Sequence, residues 1–174
     1  MLFAAIADGA VAASPLWAGA FRPANEREEL PVFSPLLHDE RFALGLETIY
    51  EGYLLHYGRS RLFAPADDDV ALLLGDTLLA HGLVRIAETG SVAAISDLAQ
   101  LLALCAQGRA DGRDGDGAAW AATATCLARG ALDEPRAALR DDGNPSPLDR
   151  LARDVVGENA VGAALARHRS CIGC

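Results

Sequence analysis

The apolar residues of this chain recur at three- and four-residue spacing, and nowhere do they alternate with polar residues over the length of a strand. Phe42, Leu46, Ile49, Tyr53 and Tyr57 mark one such stripe. This period predicts an all-α fold, an antiparallel helix bundle with no sheet. Hydrophobic residues make up 51% of the chain but aromatics only 6%, so Ala, Leu and Val must supply most of the packing. Ala and Leu are strong helix formers, which agrees with the period. At 174 residues the chain fits one domain able to bury a core without disulfides or metal.

Start and stop signals divide the chain. Residues 1–33 carry Pro15, Pro23 and Pro31 and the charged patch Glu26–Glu29, and predict one or two short, loosely packed helices followed by an extended connection. Residues 34–174 form the bundle domain. Ser34-Pro35 reads as a helix start, with Gly58 as its stop. Asp67-Asp68-Asp69 opens a second helix, where carboxylates answer the helix dipole, and Gly90 closes it. Ser91 caps a third helix to about Gln107, apolar nearly all round from Val92 to Cys105 and therefore expected at the centre. Residues 108–117 read as a flexible Gly/Asp/Arg linker. Ala118 to Arg129 and Glu134 to Asp141 give a fourth and a fifth helix. Ser146-Pro147, with Asp149 at N3, starts a last one reaching Arg169.

The formal charge is −9, and all fifteen basic residues are arginine. Such an acidic chain disfavours nucleic-acid and anionic-lipid partners. The absence of lysine is read as GC-rich, bacterial coding. Cys105 and Cys126 lie in apolar helical runs and read as small buried hydrophobes, so a reduced, cytoplasmic setting is expected. The apolar stretch 1–20 lacks a positive leading region and carries Asp8, against a secretory leader. No uncharged apolar run is long enough to span a bilayer. Walker, Rossmann, nucleophile-elbow and zincin motifs are all absent.

Ala71-Leu72-Leu73-Leu74-Gly75-Asp76-Thr77-Leu78-Leu79-Ala80 resembles the LLGD-x-LL-A helix of the trans-isoprenyl diphosphate synthases. Gly90-Ser91 falls at that family's Gly-Asp turn, and Ala106-Gln107-Gly108 at its Glu-Gly-Glu. Upstream, Glu47-Thr48-Ile49-Tyr50 and Leu54-Leu55-His56 resemble the run leading into the first Asp-rich motif. Downstream, 121–130 is similar to the helix after the family's Lys-Thr pair. The resemblance covers roughly residues 43–130 and implies a shortened isoprenoid-synthase fold. Its chemistry needs Mg²⁺ held by carboxylates, with basic residues on the diphosphates. After His56 this chain instead reads Tyr57, Gly58, Arg59, Ser60, Arg61, and no second Asp-rich motif follows. Classical prenyl transfer is therefore not expected.

No residue is assigned a catalytic role and no cofactor is expected. Asp76 lies among Leu72, Leu79, Leu83 and Ile86, so partial burial is expected, in a polar network with His56 or His81. Gly52 and Tyr53 occupy positions that the resemblance associates with the floor of a product pocket, with Leu79 opposite. Ordinary core packing is the competing reading. Glu47 and Glu51, spaced i,i+4, read as a solvated helix edge, and Asp67–Asp69 as capping residues. His168, Cys171 and Cys174 have zinc-like spacing but make only three ligands at a terminus. The leading expectation is a non-catalytic isoprenoid-synthase-like protein, a homo- or hetero-oligomer acting as subunit or partner of a prenyl diphosphate synthase. The alternatives are a lipid- or isoprenoid-binding module, a purely structural one, and an enzyme with altered chemistry around Asp76.

Overall fold

A computed structural model describes residues 1–173. The chain is all-α: 74% is helical, and the described residues hold no strand. Eight α-helices follow in order: α1 Leu2–Ala13, α2 Ala43–Tyr57, α3 Asp68–Ala87, α4 Val92–Ala110, α5 Asp116–Cys126, α6 Asp133–Asp142, α7 Ser146–Val156 and α8 Glu158–Ile172. Short 3₁₀ turns, among them Pro15–Ala20 and Ser34–Leu36, link α1 to α2.

The most extensive helix pairing is α2 against α3, which run antiparallel. Glycines spaced by seven bring the two backbones together. A Cβ placed on Gly52 of α2 would lie 2.8 Å from the Gly75 carbonyl oxygen, and one on Gly82 of α3 would lie 2.9 Å from that of Gly45. Side chains at these crossings would force the helices apart.

The expectation that the third helix is central is corrected. Helix α4 buries a single face through Ala94, Leu98, Leu101 and Cys105 while Val92 stays exposed. The centre is α5, every residue of which from Gly117 to Cys126 is buried against α4, α7, α8 and the Ser34–Leu36 turn. Ala119, Ala121, Ala122 and Ala124 leave room for neighbours on all sides, so small volume rather than high hydropathy selects the central helix. Trp120 is its one large residue, packed among Phe33, Tyr50 and Tyr53. Cys105 and Cys126 are buried, as read from the sequence.

Several boundaries also move. The Ser34-Pro35 start produces only a 3₁₀ turn, and the α-helix begins at Ala43. The turn ends where Leu37 becomes extended, at φ −68° and ψ 140°, and the Glu47 carboxylate ties the stretch before it to α2 by accepting from the backbone N–H groups of Val32, Phe33 and Ser34. Helix α5 stops at Cys126, before Arg129, because Asp97 of α4 accepts from the Ala128 N–H at 2.9 Å. The last helix is broken by Gly157 at φ +90° into α7 and α8. Asp149 makes no cap there and instead holds Arg153. Nor is the N-terminal segment loose. Phe3, Ile6, Ala10, Trp17 and Ala20 are buried in a second core cluster with Leu62, Phe63, Leu74 and Leu78. An isolated bridge between Phe21 and Phe63 ties it down.

Candidate functional site

The α3 wheel explains where Asp76 goes. Gly75, Leu78, Gly82 and Ile86 form the buried side, so Asp76, one step round, turns outward and its side chain is 67% exposed. The expected burial of Asp76 is thus corrected. His56 Nε2 lies 3.1 Å from Asp76 Oδ1 without the alignment of a hydrogen bond. His81 does not join them; its ring lies near Gly9 of α1. Asp67 caps α3 by accepting from the Val70 N–H at 2.8 Å.

The solvated-edge reading of Glu47 and Glu51 is overturned. Both are fully buried and clasp Arg61, whose side chain is 1% exposed. Arg61 Nη1 donates to Glu47 at 2.8 Å and its Nε to Glu51 at 2.9 Å. Glu51 also accepts from the Ser60 hydroxyl and the Leu62 N–H. Arg61 Nη2 has no hydrogen-bond partner among the described residues, but the guanidinium carbon stands 4.9 Å from the Phe3 ring centroid and 5.0 Å from that of Tyr50. The two rings flank the planar guanidinium and fill the space beside it. A second buried pair, Arg136 with Asp97 at 3.1 Å, joins α6 to α4.

Gly52 and Leu79 enclose no space, since the bare Gly52 Cα lets the α3 backbone and Leu79 close directly onto α2. Tyr53 turns to the opposite side of α2. Its hydroxyl donates to Asp116 Oδ2 at 2.6 Å. Arg109 and His168 converge on the same oxygen, His168 through Nε2 at 3.5 Å. The other His168 nitrogen, Nδ1, is 2.9 Å from the Tyr50 hydroxyl. Burial opposes ionisation of Asp116, yet the donors from His168, Tyr53 and Arg109 outweigh it and hold the carboxyl well below the usual range. Burial, with the Asp116 charge adding to it, pushes the Tyr53 phenol up. The network is closed, with both imidazole nitrogens engaged.

This network lines one wall of an open cleft of about 460 Å³ between the first turns of α5 and α7 and the end of α8. Sequence reading missed Asp116 and Arg109 because both lie within the stretch 108–117 read as linker, whereas they stand in α5 and α4. An Asp in the first turn of an apolar helix was the available signal. His168 and Cys171 are both buried, and burial pushes the Cys171 thiol up. Cys174 lies outside the described residues, among which no group of three or more His, Cys, Asp or Glu is placed to hold a metal ion.

The outward side of α3 is a second feature. Leu72, Leu73 and Val84 are each more than half exposed. In its most apolar stretch of 18 residues only 28% is buried. By length and composition this helix could also cross a bilayer.

Fold and sites together define an all-α helix bundle with a closed polar network and one uncovered apolar helix face. No family model, curated protein or solved structure matches the chain.

Proposed function

We propose that the protein is a non-catalytic, isoprenoid-synthase-like helical subunit that docks onto a partner through the outward face of α3, with a prenyl diphosphate synthase as the expected partner. The observation that carries this reading is that Leu72, Leu73 and Val84, at the two ends of a 20-residue helix, are each more than half exposed, with Asp76 between them. Several large apolar side chains left uncovered on one helix are what an interaction face presents. The non-catalytic part draws support from Arg61. Located where the resemblance would put a metal-binding carboxylate, it is consumed in a buried clasp and unable to reach a substrate phosphate.

Co-expression with a prenyl diphosphate synthase of the same genome, followed by gel filtration and product-length analysis, tests the proposal. Co-elution is expected, and the Leu73→Asp/Val84→Asp variant should lose it while keeping its helical circular dichroism. Separate elution with unchanged products overturns the reading. So does co-elution that survives both aspartates.

A further inference from the structure

The cleft between α5, α7 and α8 has the volume of a small-molecule site, and its charges can be sorted. Arg109 and Asp116 are tied to each other. Asp149 is held by Arg153 at 2.7 Å. Asp114 and Arg169 remain, both exposed, with no ion-pair or hydrogen-bonding side-chain partner among the described residues. A simple anion gains little from the two helix N-termini at the cleft, because Asp116 and Asp149 in their first turns already answer those dipoles. A simple cation meets Arg109 and Arg169. One unanswered charge of each sign is complementary to a ligand that carries both.

Apart from Ser146 and His168 the rest of the lining is apolar, with Leu165, Ile172, Ala118 and Pro145 alongside the rim charges. The wall behind is fixed: a Cβ on Gly117 would lie 3.0 Å from His168 Cδ2, so the glycine lets the bonded imidazole sit against α5. His168 is buried, with Nδ1 on the Tyr50 hydroxyl and Nε2 turned to Asp116, so the imidazole serves as part of the wall.

We propose that this cleft binds a small apolar zwitterion, with its carboxylate on Arg169, its ammonium group on Asp114 and its hydrocarbon body against Leu165 and Ile172. A free apolar amino acid and an apolar dipeptide share this chemistry. The inference is independent of the docking face on α3.

Isothermal titration of the full chain with L-leucine, leucyl-leucine, isocaproate and isopentylamine tests it. The last two are leucine without its amino group and without its carboxylate. Leucine or leucyl-leucine binds at least about tenfold more tightly than either half-molecule, and the tighter of the two identifies the source. Arg169→Ala and Asp114→Asn each weaken that binding by roughly fivefold or more, while the unliganded variants melt as the parent does because both side chains are exposed. Three results would each overturn the proposal. One is a half-molecule that binds as well as the zwitterions. Another is no binding of any of the four at millimolar concentration. The third is a pair of variants that bind as the parent does.

Discussion

Replacing Gly52 by alanine isolates the contact that lets α2 and α3 touch. In a helix interior the change on its own is favourable, by about 1 kcal/mol, because alanine loses less backbone entropy. At Gly52 the new methyl would meet the Gly75 carbonyl oxygen at 2.8 Å and the Leu79 amide nitrogen at 3.0 Å. Both are backbone atoms, so no side chain can swing aside and the whole of α3 must shift. Overpacking of this kind costs about 1–3 kcal/mol, and rigid neighbours place it at the upper end. The net expectation is a loss of about 2 kcal/mol. Gly162, inside α8 with nothing within 4 Å of its would-be Cβ, is the internal control. Gly162→Ala should gain about 0.5–1 kcal/mol. Urea unfolding followed by far-ultraviolet circular dichroism, extrapolated linearly, measures both. The same substitution should move the midpoint in opposite directions. If Gly52→Ala proved as stable as the parent, the close-approach argument would fail.

Two other perturbations probe the buried polar groups. Arg61→Ala leaves Glu47 and Glu51 buried without their cation and should cost about 3–5 kcal/mol in the same unfolding assay, whereas a loss below about 1 kcal/mol would mean water enters and the clasp is dispensable. For Asp116, whose carboxyl is held below its ordinary value, the stabilisation is complete above the unfolded-state value and is lost as pH falls towards the folded-state one. The stability gap between the parent and Asp116→Asn should therefore be constant above about pH 5 and shrink on acidification below it. A gap independent of pH contradicts the assigned hydrogen bonds.

The helices were legible wherever one face repeats and a cap is local. The Asp67 cap of α3 and the Phe42–Leu46–Ile49–Tyr53 stripe leading along α2 show this. What escaped reading depends on partners distant in sequence. Glu47 and Glu51 have the i,i+4 spacing of a surface pair, and only Arg61, beyond the stop at Gly58, makes them interior. Gly45 and Gly52 acquire meaning from Gly82 and Gly75 on the next helix, since a glycine seven residues from another signals nothing by itself. Asp116 looked like part of a polar linker until Tyr53, Arg109 and His168, from three other helices or turns, closed on it. The long apolar run from Val92 to Cys105 drew the reading to α4, but the centre of a bundle is chosen by how closely its neighbours can approach.

Phe3, Arg61, Tyr50 and His168 stand in an unbroken row from the first helix to the last, each touching the next. Contacts from α1 and from α8 thereby meet on the same arginine and the same phenol, so peeling either helix away uncovers the Glu47–Arg61–Glu51 clasp from a different side.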